Sequence, residues 1–145
     1  IDHSGKARWA FAKDTSIGDR EVEKCMLDQL RSATWPVPEG GDEGLAEKPF
    51  EWPDREERPP VDWSTEEVLP AVQKIRSRLD ACRAGNTGIF RATMIVETNG
   101  KVASVGMAPP DEKSEAVVDC LVGELKTLKL KSPGSWPARV SFDVP

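Results

Sequence analysis

Three cysteines, a single histidine and a few carboxylate pairs are the residues of this chain that could do chemistry. Cys25, Cys82 and Cys120 make an odd set, whereas a disulfide framework uses thiols two at a time. A bridge, reduced thiols in a core and metal ligation are the three uses open to them. Metal ligation is the weakest, because two distant cysteines and one imidazole do not fill a coordination sphere. Any triad or imidazole acid–base system would have to rest on His3. That residue falls in a predicted turn beside Ser4-Gly5 and reads as a surface residue. Glu66-Glu67 and Asp111-Glu112 stand at predicted helix starts, where carboxylates complement the helix dipole. The sequence has no glycine-rich phosphate loop, no Gly-x-Ser-x-Gly elbow and no Cys-x-x-Cys pair. No catalytic residue, cofactor site or metal site is predicted, and the chain does not read as an enzyme.

Periodicity gives the elements that must hold these residues. In STEEVLPAVQKIRSRLDACRAG, Ser64 or Thr65 can cap a helix, with Glu67 placed to close a capping box. Val68, Val72, Ile75, Leu79 and Cys82 then recur on one helical face. Pro70 is tolerated only in the first turn, where its missing N–H costs nothing, and Gly85-Asn86 supply the stop. Residues 89–97 are rich in β-branched and apolar side chains, with Phe90, Ala92, Met94 and Val96 on one side of a strand. Asn99-Gly100 predicts a type I′ hairpin, which needs positive φ at both residues, and residues 101–107 form the returning strand. Residues 111–128 predict a second amphipathic helix, with Val117, Leu121, Leu125 and Leu128 in register. Pro133-Gly134 breaks the chain before a closing strand within residues 138–144.

Sliding the chain against itself by 95 positions aligns residues 1–38 with 96–133 without a gap. Gly5-Lys6 falls on Gly100-Lys101, Cys25 on Cys120 and Pro38 on Pro133. Val22, Met26, Leu30 and Ala33 fall on Val117, Leu121, Leu125 and Leu128, so the apolar face is kept. Self-similarity at a fixed offset marks a repeated unit. The second copy, residues 64–145, is complete as helix-strand-strand-helix-strand. The first copy, residues 1–52, lacks the leading helix and first strand and ends in a strand predicted at 48–52. Residues 53–63, charged and containing Pro59-Pro60, read as a stiff linker. The repeat also accounts for the odd thiol: Cys82 and Cys120 would pair, and Cys25 would stay unpaired because its counterpart falls upstream of Ile1. A first unit short of a strand exposes a sheet edge. That edge predicts pairing with a neighbouring copy (a homo-oligomer), with the second unit or with an upstream segment.

The complete copy resembles the TonB-like C-terminal domain of the AgmX/PglI type, known from envelope proteins of myxobacteria and related deltaproteobacteria. The resemblance is carried by Cys82 at the end of the leading helix, Gly88 before the hairpin and Asn99-Gly100-Lys101-Val102 at its turn. Cys120 on the second helix and Val140-Ser141-Phe142 in the closing strand complete it. Trp35-Pro36-Val37-Pro38 carries the proline pattern of the family in the first copy. The resemblance implies an α+β protein of two TonB-like units, each packing amphipathic helices on a small, mostly antiparallel sheet. It also implies a structural disulfide, no catalytic apparatus and an exported, periplasmic or extracellular location, with any anchor lying outside this chain.

At 145 residues, 38% hydrophobic and 31% charged, the chain can bury one ordinary core or two small ones. No window approaches the roughly 20 apolar residues of a membrane span. The net charge of −5 divides into −6 over residues 1–62 and +1 over residues 63–145. An acidic half argues against nucleic-acid binding, where Lys and Arg must neutralise phosphate. Five tryptophans stand beside no tyrosine, and three of them precede proline. Trp35, Trp52 and Trp63 are the predicted interaction surface. The expected function is a non-enzymatic envelope scaffold or interaction module that binds an envelope protein. The alternative is a small-ligand or glycan-binding protein that uses the Trp-Pro surfaces.

Overall fold

The computed structural model describes residues 1–51 and 58–145. Trp52 and residues 53–57 lie outside the described residues, as does the end of the strand predicted at 48–52. Four strands build one sheet: β1 (Val61–Asp62), β2 (Arg91–Val96), β3 (Val102–Ala108) and β4 (Ala138–Asp143), in the order β1-β4-β2-β3. β2 pairs antiparallel with both neighbours, and β1 runs parallel to β4. The fold is therefore α+β with a small mixed sheet. β1 was not expected. It lies at the end of the predicted linker, where Val61 and Trp63 donate backbone hydrogen bonds to Pro137 and Arg139 at 3.0 and 2.8 Å.

The alternation of strand side chains decides where the core lies. Ala92, Met94 and Val96 of β2, Val105 and Met107 of β3, and Val140 and Phe142 of β4 are buried. Helices α2 (Leu69–Lys74) and α3 (Arg76–Arg83), with α4 (Val118–Lys126), supply their side of the same core. The predicted stripe of Val68, Val72, Ile75, Leu79 and Cys82 is buried throughout. The helix carrying it is not continuous, however. It breaks at Ile75 (φ −104°, ψ 11°), where tight hydrogen bonds from Ile75 to Val72 and from Arg78 to Ile75 close short turns. Pro70 sits in the first turn of α2, as its missing N–H requires.

The hairpin is at the predicted place with a different geometry. Gly100 N–H donates to Glu97 O at 2.9 Å and Glu97 N–H to Lys101 O at 2.8 Å, and Gly100 alone of the turn residues has positive φ (81°). A type I′ turn would need Asn99 there as well. Instead, the glycine forms the bulge of a longer loop, which relieves Asn99 of a strained backbone.

Residues 1–51 correct the expectation of two sheets. They hold one helix, α1 (Arg20–Ser32), capped by the Asp19 carboxylate, and no strand. The only ladder contact in this segment is an isolated bridge between Lys6 and Thr34. Apart from that bridge, its backbone forms no ladder with a strand among the described residues, and a two-stranded pairing alone is marginal in water. The unpaired edge expected of a first sheet is accordingly absent among the described residues. The segment straps onto the four-stranded sheet. Thr93 Oγ1 donates to Thr15 O at 3.1 Å, Gly18 lies against Thr93 and Ile95, and α1 runs beside β3.

The buried face of α1 also differs from the predicted one. Val22 is 45% exposed, whereas Arg20, Glu23 and Leu27 are 4%, 2% and 5% exposed. Arg20 and Glu23 find partners inside the molecule, although Arg20 Nη1 is buried with no hydrogen-bond partner among the described residues. The helix therefore presents a different face from the one its apolar residues suggest.

Candidate functional site

Cys82 on α3 and Cys120 on α4 form a disulfide, with Cα atoms 5.5 Å apart. The bridge fastens the helix before the hairpin to the helix after it, and Arg78 reinforces the same junction through Glu124 at 3.1 Å. Cys25 is free and exposed. No group of three His, Cys, Asp or Glu side chains converges as metal ligands among the described residues.

The densest polar cluster lies where α1 meets α4 and the short 3-10 turn before it, Lys113–Val117. Arg20 Nη2 donates to Glu115 Oε1 at 2.6 Å and Arg20 Nε to Asp119 Oδ1 at 2.7 Å. Lys24 Nζ reaches Asp119 Oδ2 at 3.0 Å. Burial works against the Arg20 charge, but its hydrogen bonds to Asp119 and Glu115 prevail and hold its pKa above the ordinary value. Burial likewise pushes Asp119 up, and the bonds from Arg20 and Lys24 bring it below the usual carboxylate range. One turn along α1, Glu23 Oε2 accepts the Met107 N–H at 3.0 Å, capping the edge of β3, while Oε1 accepts from the Thr15 hydroxyl at 2.9 Å.

Burial pushes the Glu23 carboxyl above its ordinary 4.5, outweighing the bonds from Met107 and Thr15. A carboxyl whose pKa rises on folding lowers stability at neutral pH. That loss is recovered as the pH falls through the raised value towards 4.5. Glu23→Gln keeps an acceptor for Met107 and should be at least as stable as wild type at neutral pH. Urea midpoints followed from about pH 7 down to about pH 4 should show wild type gaining on the variant. A difference independent of pH would show that Glu23 is not desolvated.

The turn around Gly5 and the turn around Gly100 make the same hydrogen bonds 95 residues apart. Asp2 N–H donates to Lys6 O at 2.8 Å, as Glu97 does to Lys101 at 2.8 Å. Gly5 donates to Asp2 at 3.0 Å, as Gly100 does to Glu97 at 2.9 Å. Trp35 donates to Gly5 at 2.8 Å, as Leu130 does to Gly100 at 2.9 Å. The bridge between Lys6 and Thr34 matches that between Lys101 and Lys129. Gly5 and Gly100 both have positive φ, and each lies so close to a backbone carbonyl, of Trp35 and Leu130 respectively, that a Cβ has no room. Asp2 differs from Glu97 in curling back on its own turn. Bonds from the Ser4 hydroxyl and the Lys6 and Ser4 amides lower its pKa to about 2.

Of the predicted surface tryptophans, Trp52 lies outside the described residues and the other two are partly buried. Trp35 is half-buried and its indole N–H donates to Leu30 O at 2.9 Å, while Trp63 packs against the core. The more exposed aromatics include Trp9, at 45%, whose ring lies 5.9 Å from that of Phe11, and Phe50. His3 is exposed. A shallow depression on the sheet is lined by Thr65, Leu69, Arg91, Ser141, Phe142 and Asp143, and there Arg91 and Asp143 pair at 3.0 Å. Arg20 and Glu23 were missed because buried charges look like surface charges in a sequence. The signal available was that Arg20 and Lys24 fall by the 95-residue offset on Glu115 and Asp119, opposite charges at matched positions.

These features define a disulfide-pinned α+β domain whose sheet edge is clasped by an N-terminal strap. No helix among the described residues is long and apolar enough to cross a membrane. Comparison of the chain with protein-family models, with curated proteins and with solved structures finds no match.

Proposed function

We propose that the chain is a non-enzymatic protein-interaction module of the cell envelope, built from a TonB-like unit over residues 64–145 and a related copy over residues 1–52. The observation that carries this reading is the Cys82–Cys120 bridge. It joins the leading helix to the helix after the hairpin, the two positions paired in the resemblance, and such bridges persist in oxidising compartments. The hydrogen bonds repeated around Gly5 and Gly100 support the kinship of the two copies. Docking would fall to the N-terminal strap, which leaves Trp9, Val37, Leu45 and Phe50 exposed.

A photo-crosslinking residue at Trp9 or Phe50, in protein exported with its disulfide formed, tests this. Covalent capture of one envelope protein, competed by excess unlabelled chain, is the expected result. Saturable quenching of tryptophan fluorescence by cell-wall fragments, with no protein captured, would instead favour the glycan-binding alternative through Trp35, Trp52 and Trp63.

A further inference from the structure

We propose that α1 and α4 are two versions of a single helix-pairing surface, by which units of this kind join one another, and that the charges at two matched positions select the partner. The inference rests on the reading of residues 1–52 and 64–145 as related copies. Its own support is the pattern of contacts. Arg20 meets Glu115 and Lys24 meets Asp119, and in both pairs the partners are 95 residues apart. The same offset relates the duplicated turns at Gly5 and Gly100, which lie elsewhere in the sequence and owe nothing to these side chains. Equivalent positions therefore face each other, one pair at the short 3-10 turn Lys113–Val117 and the next in the first turn of α4, and Arg20 Nε also reaches across to Asp119 at 2.7 Å. This is the contact made when two related segments run side by side in register.

Two identical surfaces meeting this way would set each residue against itself. A contact between two chains through α4 and the turn before it would bring Glu115 and Asp119 against Glu115 and Asp119, and an α1–α1 contact would bring Arg20 and Lys24 against themselves. Both are repulsive. Only a basic pair against an acidic pair is favourable, which steers α1 to α4 and away from matching helices. The partner that fits α4 is thus a second unit of this kind carrying Arg or Lys at the two positions, and here the first copy supplies it within the chain. Glu23 is the titratable group next to Arg20 on the packed side; it bonds to β3, and its carboxylate is attracted by Arg20 and repelled by Glu115.

Charge exchange tests this in a Glu23→Gln background, so that an acidic residue at position 20 does not face a buried carboxylate. Variant one carries Arg20→Glu and Lys24→Glu; variant two carries Glu115→Arg and Asp119→Lys; variant three carries all four. Exchange of the Met107 amide, bonded to residue 23, reports whether α1 is docked, and exchange of the Met94 amide in central strand β2 reports whether the sheet is folded. Variants one and two should each lose Met107 protection by about tenfold or more while keeping that of Met94. Variant three should recover it. An equimolar mixture of one and two should also recover it, in a particle of twice the mass by native mass spectrometry, because each chain then offers the helix that the other lacks. Persistent Met107 protection in the first two variants, no recovery in the third, or a mixture that stays monomeric would overturn the proposal. If Met94 protection also falls, the milder exposed pair, Lys24→Glu with Asp119→Lys, is read the same way. Failure here leaves the envelope reading standing, since crosslinking at Trp9 does not depend on α1 docking by charge.

Discussion

Replacing Cys82 and Cys120 by serine is expected to cost about 3–4 kcal/mol and to lower the melting temperature of the sheet domain by about 15 °C. The bridge spans 38 residues of sequence, including the whole β2–β3 hairpin. Cutting it returns that loop's freedom to the unfolded chain, and in the chain-entropy model a loop of this length is worth close to 4 kcal/mol. For a small domain whose helices cover one face of a four-stranded sheet, this is a large part of the total. Cys25→Ser is the control, since that thiol is exposed and bonded to nothing. Alkylation of the folded protein without reductant should label Cys25 alone, and denaturation with reductant should expose all three thiols. A double serine variant that melts with wild type would mean that the helices hold their positions by packing alone.

Residues 64–145 were largely legible because their core obeys simple periodicities. Val68, Val72, Ile75 and Leu79 at helical spacing, and Ala92, Met94 and Val96 at strand spacing, are all buried. The break at Ile75 was not legible, since no glycine or internal proline marks it. β1 escaped because two residues, Val61 and Asp62, carry no alternation to read, and their pairing is set by β4 residues 77 positions later, Ala138 and Arg139. The strap failed for a different reason. In α1 the apolar residues mark one face, yet tertiary contacts bury another, because Glu23 finds the free Met107 amide and Arg20 finds Glu115. Sequence patterns report hydrophobic burial, whereas these contacts are polar and long-range, and only the matched opposite charges at the 95-residue offset hinted at them.

Gly100→Ala is expected to cost about 3 kcal/mol, and Gly5→Ala far less, although both break the same turn. At each site positive φ strains an L side chain, and the new Cβ would press on a backbone carbonyl that cannot rotate away: Leu130 O at one, Trp35 O at the other. At Gly100 relief means moving either the hairpin that joins β2 to β3 or the chain leaving α4. It forfeits the Leu130 to Gly100 hydrogen bond, worth about 1 kcal/mol, and with it the bridge between Lys101 and Lys129 that this bond makes. Because β2 is the central strand, that strain is felt by the whole sheet, and thermal unfolding should shift by about 10 °C. At Gly5 the equivalent bonds hold only a turn to the end of α1, with no strand attached. Exchange of the Trp35 amide should accelerate there while the sheet's melting point barely moves. If the two substitutions cost the same, residues 1–51 are as integral to the core as the hairpin is. If Gly100→Ala is harmless, the close approach to Leu130 does not constrain the fold.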